Sequence, residues 1–97
     1  MSFIQIIECH TSRFADLQEL DGEWESATEG RNTLRRSIIT QDRNDPEHYF
    51  VLAFFDSYES AMENSNLPET GEFATKMAAV VDAPMVFLDL DVIDDKP

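Results

Sequence analysis

The sequence predicts an α+β fold in which four strands and three helices follow one another in the order βαββααβ. Three observations support this order: an apolar run from Tyr49 to Phe55, apolar residues at helical spacing after residue 13, and an alternating segment over residues 85–93. A strand with one face in water alternates between apolar and polar residues, whereas the run 49–55 is apolar throughout. Both faces of its sheet are therefore expected to be covered.

The first half of the chain contains one strand and one long helix. Residues 3–9 are rich in β-branched and aromatic side chains and predict the first strand. A helix is predicted over residues 13–29, with Thr11 or Ser12 as its N-cap and Gly30 as its stop signal. Its apolar residues recur at spacings of three and four: Phe14, Leu17, Leu20, Trp24 and Ala27.

The second half begins with a hairpin and ends with a strand. Residues 34–40 predict the second strand, residues 42–46 a turn, and residues 48–55 the third strand. Ser57 is expected to cap a short helix that is interrupted at residues 64–68, and a further helix is predicted over residues 69–81. Residues 85–93 predict the last strand, with Val86, Leu88, Leu90 and Val92 on one face.

Right-handed crossovers place the first and third strands in the middle of the sheet and all helices on one face. This is a ferredoxin-like arrangement in a single domain that spans residues 1–97. A chain of 97 residues has too little material to cover the other face of the sheet as well. We therefore expect a homodimer in which two sheets pack face to face and bury roughly 2,000 Å² or more in total.

The composition excludes several classes of function. The chain carries 20 acidic and 7 basic side chains, a formal net charge of −13, which disfavours nucleic acid and anionic membranes as partners. Its longest apolar runs are far shorter than the roughly 20 residues that span a bilayer, and the N-terminus has no signal-peptide pattern, so a cytoplasmic location is expected. Cys9 is the only cysteine, and it is expected to be a small buried hydrophobe.

Three segments resemble the antibiotic biosynthesis monooxygenase-like domains of the dimeric α/β-barrel superfamily. They are residues 45–50 entering the hydrophobic strand, residues 56–62 opening the short helix, and residues 66–70 before the next helix. The family includes oxygenases that use neither metal nor flavin, haem-degrading enzymes and domains without a known reaction. The resemblance implies a pocket between sheet and helices for a small hydrophobic or aromatic molecule, with candidate residues Trp24, Tyr58, Met62, Asn64, Asn66, Phe73 and Met77.

The leading hypothesis is a cofactor-independent monooxygenase-like protein that acts on an aromatic or polyketide-like molecule. Such chemistry needs a dry pocket, a base and donors for an oxyanion. The candidate bases are His10 and His48, and both are expected at exposed strand ends. Haem degradation is disfavoured because Gln5 stands where those relatives use asparagine, the only tryptophan lies on the first helix, and no histidine follows His48.

No cofactor is expected, and no metal site, since the two histidines are taken to lie at distant strand ends.

The alternatives to an enzyme are a ligand-binding module with the same pocket and a purely structural dimeric domain. A cavity of about 300 Å³ or more with Tyr58 and Asn66 facing inward would favour the first two classes over the third.

Arginines cluster in and next to the second strand, and acidic residues lie on the fourth. Arg35 or Arg36 could pair across the dimer with Asp89 or Asp91 of the other copy. Alternatively, Arg36 could point into the pocket and bind an anionic group of the substrate. The sequence leaves both roles open.

Overall fold

The computed structural model describes residues 2–97. The elements are β1 Phe3–His10, α1 Phe14–Ala27, β2 Arg36–Asp42, β3 Asp45–Phe55, α2 Tyr58–Ser65, α3 Pro68–Ala78 and β4 Val86–Asp91. The strands form one antiparallel sheet in the order β2-β3-β1-β4. The predicted α+β, ferredoxin-like fold is therefore confirmed, with β1 and β3 in the middle. None of the helices in residues 2–97 is long and apolar enough to cross a membrane.

The strand register separates the two faces of the sheet. Phe3 lies opposite Phe55 and Cys9 opposite Tyr49, and these side chains pack against the helices. Cys9 is buried among Leu17, Tyr49 and Met77, as expected for a small hydrophobe. Burial raises the pKa of its thiol, and the neighbouring charge of Glu8 adds to the effect, so the thiol is kept in its unreactive form.

The face of the sheet away from the helices, which we call the open face, is also apolar. Val86, Leu88 and Leu90 on β4 are 47%, 45% and 42% exposed. The register places further apolar residues on the same face, namely Ile4, Ile6, Ile38, Phe50, Leu52 and Phe54. The continuous apolar run of β3 thus has a simple cause. Successive side chains of the strand point alternately into the core beneath the helices and onto the open face, and both of these surfaces are apolar.

The hairpin between β2 and β3 is tighter than the sequence predicted. The turn consists only of Arg43 and Asn44, and the backbone N–H of Asn44 donates to Asp42 Oδ1 at 2.8 Å. Both strands consequently extend into the predicted turn, and Pro46 lies inside β3, beside an irregularity in the ladder at residues 41 and 42. Strand β2 also begins two residues late, because Leu34 packs into the core with Phe3 and Phe55.

The start of α1 differs from the prediction. Arg13 occupies the N-cap position without a side-chain cap, so neither Thr11 nor Ser12 has the expected role. The Thr11 hydroxyl instead accepts from the backbone N–H of Arg13 at 2.9 Å and donates to the carbonyl of Val80 at 2.6 Å. It fastens the end of β1 to the segment that follows α3.

The other helix ends are set by local signals. Ser57 caps α2 as predicted, within a reciprocal capping box with Ser60. Helix α3 begins at Pro68, which suits a first-turn position, and ends three residues before the predicted Val81. The chain turns there because the N–H of Val80 bonds the carbonyl of Met77 and that of Asp82 bonds His10.

Candidate functional site

A cavity of about 340 Å³ lies between the sheet and the helices. Strand residues form its floor, and α1, α2 and α3 supply its walls. Its apolar lining comes from Ile7, Trp24, Leu34, Val51, Ala53, Phe55, Phe73, Ala74, Met77, Met85 and Phe87. Its polar side chains are Gln5, Asp21, Ser37, Asn64, Ser65 and Thr70. An apolar cavity with a few polar groups is typical of sites for small organic molecules.

Four of the predicted pocket residues, Trp24, Asn64, Phe73 and Met77, line this cavity. The other three candidates on the helices do not. Tyr58 is 49% exposed and packs edge-on against Phe3. Met62 packs into the core beside Phe3, Phe55 and Ala61, and Asn66 is the exposed C-cap of α2. The expected cavity volume is therefore present, but Tyr58 and Asn66 do not face into it.

Trp24 and Asn64 are fixed by hydrogen bonds to neighbouring elements. The Trp24 indole donates to Thr70 Oγ1 at 2.9 Å, and its ring lies 6.1 Å from that of Phe73. Asn64 is almost fully buried, and its Oδ1 accepts from the backbone N–H of Thr33 at 3.3 Å. Since these bonds occupy the Thr70 oxygen and the Asn64 oxygen, the Thr70 O–H and the Asn64 amide N–H₂ are left to donate to a bound molecule.

Asp21 is the titratable side chain of the cavity that sequence reasoning missed. It lies one turn before Trp24 on α1. Burial raises its pKa, and the nearby charge of Glu25 raises it further. A signal was present in the sequence, because Asp21 falls between Leu17 and Trp24 on the apolar stripe of the helix. The lining contains no histidine or cysteine, so this cavity offers a metal ion only one carboxylate.

His10 and His48 lie on the open face, across the sheet from the cavity. They are directly opposed in the β1–β3 register, and their rings stack at 4.2 Å. The interpretation that they occupy distant strand ends was therefore wrong, since antiparallel pairing brings the end of β1 to the start of β3. Neither imidazole can reach a molecule in the cavity to act as its base.

His48 is held between two carboxylates. Its Nε2 lies 2.7 Å from Glu8 Oε2 and its Nδ1 lies 3.0 Å from Asp42 Oδ2. These hydrogen bonds, with that to Glu8 the larger contribution, raise the pKa of the imidazole. The pKa of Asp42 is lowered, first by the N–H of Asn44 and then by His48.

The arginines of the second strand also lie outside the cavity. Arg36 is on the open face, with its guanidinium 5.8 Å from the ring centre of Phe54, and it is not among the residues that line the cavity. Arg35 pairs with Asp56 of the same chain at 2.6 Å. This leaves Arg36 as the arginine available for a pair across a dimer.

Solved structures share this fold over nearly the full chain. SnoaB, a cofactor-independent oxygenase from Streptomyces nogalater, aligns with a TM-score of 0.82 and 10% identity over 99% of this chain and 97% of its own. A provisional antibiotic biosynthesis monooxygenase from Caulobacter crescentus gives 0.81 and 10% over 96% and 91%. Rv0793 from Mycobacterium tuberculosis gives 0.80 and 13% over the whole of both chains.

No protein-family model and no curated protein matches the sequence. The structural likeness nevertheless defines the class: this chain has an antibiotic biosynthesis monooxygenase-like fold. The resemblance noted in the sequence is thus confirmed for the fold, and identities near 10% carry the comparison no further.

Proposed function

We propose that this protein is a cofactor-independent monooxygenase-like enzyme that oxidises a small phenolic or polyketide-like molecule in the cavity. The observation that carries this proposal is Asp21, a carboxylate with a raised pKa in an otherwise largely apolar cavity. Perturbed acids in clefts are characteristic of catalytic bases. The likeness to SnoaB is consistent with this class of reaction.

The reaction needs no group beyond the substrate, dioxygen and a base. Asp21 takes a proton from a ring carbon that is activated by neighbouring phenol and carbonyl groups, and this leaves a resonance-stabilised carbanion. The carbanion transfers electrons to dioxygen and forms a peroxide at that carbon, which then loses water. The balance is one CH₂ group and one O₂ converted to one C=O group and one H₂O. A raised pKa makes the Asp21 carboxylate a stronger base than one in water.

Two donors are placed to stabilise the oxyanion that forms when the proton leaves. They are the Thr70 O–H, set by the Trp24 indole, and the Asn64 N–H₂, set by Thr33. Donors that are already fixed in position stabilise such a charge more than donors in bulk solvent, because they need not reorganise when the charge forms. Trp24 and Phe73 supply flat apolar surface for an aromatic ring.

The functional unit in this proposal is a homodimer that closes over the open face. Exposed Val86, Leu88 and Leu90 are part of a continuous apolar surface across all four strands. Large contiguous apolar surfaces mark sites of interaction with other proteins, and a second copy of this chain would present a matching one. Arg36 lies at the β2 edge of this face, whereas Asp89 and Asp91 lie on the helix side of the β4 edge, opposite Gln5 and Phe3, so the proposed pair with the second copy has to form around the edge of the sheet.

Oxygen uptake tests the enzyme hypothesis. An oxygen electrode records consumption by the purified protein with a panel of anthrone-type and hydroxynaphthalene substrates. We expect Asp21→Asn to lower kcat about 100-fold or more, as for loss of a general base. Glu19→Gln removes one carboxylate from an exposed position of the same helix and should retain full activity. Equal rates for wild type and Asp21→Asn would refute the assigned base.

The second candidate is a binding module that uses the same cavity without chemistry. Its support is the predominance of apolar lining residues, which bind an aromatic molecule whether or not it reacts. Saturable binding of the panel compounds without oxygen uptake would favour this alternative. A structural domain with a filled core is disfavoured, because the 340 Å³ cavity remains open beside Trp24, Phe73 and Met77.

A further inference from the structure

Three side chains that can bind metal converge on the open face, at the end of the sheet nearest the β2–β3 hairpin. Glu8 and His10 are two residues apart on β1, so their side chains leave the same face of the sheet. His48 on β3 lies directly opposite His10. The backbone of two central, paired strands therefore brings them together, and no loop has to move to do so.

The distances suit a single ion after small side-chain rotations. One ligand atom of each of the three residues lies within 4.8 Å of the others, and His48 Nε2 is 2.7 Å from Glu8 Oε2. Ligand atoms around a tetrahedral zinc ion, at about 2.0–2.1 Å from the metal, stand roughly 3.3 Å apart. The two rings are parallel within 3°, so they would tilt about their side-chain bonds to direct one nitrogen each at the ion.

Asp42 contacts the ring nitrogen of His48 that does not face Glu8. Its carboxylate lies 3.0 Å from Nδ1 of His48, the ring nitrogen away from Glu8. A carboxylate that accepts from one nitrogen of a histidine orients the other nitrogen and increases its basicity, which is the common outer shell of metal-bound histidines. Glu8 and Asp42 together bring two negative charges to His48, in a chain whose net charge is −13.

We infer that Glu8, His10 and His48 form a binding site for a divalent first-row transition metal ion, with Asp42 orienting His48. Two imidazoles and one carboxylate favour Zn²⁺, Co²⁺, Ni²⁺ or Cu²⁺ over Mg²⁺ and Ca²⁺, which prefer oxygen ligands throughout. The site is separate from the cavity, which is on the other face of the sheet. It depends neither on the proposed reaction nor on a substrate.

Calorimetric titration of the chelator-treated full-length chain with ZnCl₂ tests this site. We expect one ion per chain and no heat from MgCl₂. Glu8→Gln, His10→Gln and His48→Gln should each weaken zinc binding by at least about tenfold, and Asp42→Asn by about tenfold. Glu47→Gln is the matched control, because it removes one carboxylate from an exposed neighbour of His48 on the other side of the strand, and it should bind within about twofold of wild type.

Proton NMR of the wild-type chain gives a second readout that does not depend on the folding of any variant. Zinc should shift the imidazole resonances of both histidines, and the shifts should saturate at one equivalent. The proposal is overturned if wild type binds no zinc, if zinc leaves either histidine unshifted, or if folded ligand variants bind zinc as tightly as Glu47→Gln does.

Discussion

The catalytic role proposed for Asp21 carries a cost in stability. Partial burial and the charge of Glu25 both disfavour its ionised form in the folded chain, and its pKa is raised as a result. A group with a raised folded-state pKa binds its proton more readily when the protein is folded. Protonation of Asp21 therefore contributes to the stability of the fold. This contribution is fully present below the unfolded-state pKa and is lost as the pH rises through the folded-state pKa.

Replacing Asp21 by asparagine should make the protein more stable at pH 7, where the buried charge is removed. The gain in Tm over wild type should shrink as the pH falls towards the ordinary carboxyl range, where Asp21 becomes protonated. Thermal unfolding followed by circular dichroism at several pH values measures this difference. If the variant is less stable at pH 7, or if the difference in Tm does not change with pH, the surroundings of Asp21 do not disfavour its ionised form. Stabilisation combined with loss of activity is typical of residues kept for function.

At the scale of elements, the join between β1, α1 and the end of α3 depends on polar contacts. Buried Thr11 both accepts from Arg13 and donates to Val80. The N–H of Asp82 bonds the carbonyl of His10 at 2.7 Å, and its carboxylate accepts from the N–H of Ser12 at 2.8 Å. These contacts hold α3 against the sheet, and α3 supplies Thr70, Phe73 and Met77 to the cavity.

Thr11→Val should therefore destabilise the fold, although the two side chains have almost the same shape. Loss of the hydroxyl leaves the partly buried carbonyl of Val80 and N–H of Arg13 without their partner, at a cost of about 1–3 kcal/mol. For a domain of this size, each kcal/mol lowers Tm by roughly 4–8 °C. Urea unfolding gives the free energy directly. Thr75→Val, at an exposed site on α3, should change it by no more than about 0.5 kcal/mol, and an equal loss in both variants would contradict the assigned role of Thr11.

The elements themselves could be predicted from sequence because each has a local cause. Ser57 and Ser60 define the start of α2, and the apolar stripe from Phe14 to Trp24 defines α1. The ends that were misplaced depend on distant partners. The turn shortens because Asn44 bonds Asp42, and the start of β2 is delayed because Leu34 packs against Phe3 and Phe55.

The candidate site could be predicted only in part for a similar reason. Trp24, Phe73 and Met77 could be found because helical spacing points them towards the sheet. Tyr58 and Asn66 were misplaced because the angle of α2 to the sheet, which depends on tertiary packing, decides which of its residues face inward. The proximity of His10 and His48 follows from the β1–β3 register, which strand boundaries alone leave undetermined.

For the molecule as a whole, the proposed dimer rests on the open face. Leu88 occupies the middle of β4 on this face and is half exposed in the single chain. A buried glutamate without a partner is costly at an apolar interface. Leu88→Glu should therefore convert a dimer into a folded monomer in sedimentation velocity runs at micromolar concentration.

Ile93→Glu is the matched control for this change, since it introduces the same charge just beyond β4 at a side chain that is 94% exposed. It should sediment as the wild-type protein does. A wild-type chain that sediments as a monomer, or a Leu88→Glu variant that remains dimeric, would contradict the proposed packing of two open faces.

The cavity offers its own probe, because Trp24 is the only tryptophan of the chain and forms part of the wall. Ala74 on α3 also lines the cavity, whereas Ala78, one turn further along the helix, does not, and both alanines are exposed. Ala74→Phe should fill the space that a ligand needs, and Ala78→Phe is its control.

Titration of Trp24 fluorescence with an anthrone-type phenol therefore tests most directly whether the cavity is a binding site. The account predicts saturable quenching at one molecule per chain, with affinity reduced at least about tenfold, or 1.4 kcal/mol, in Ala74→Phe and unchanged in Ala78→Phe. Quenching that never saturates, or that is equally strong in Ala74→Phe and wild type, would contradict it.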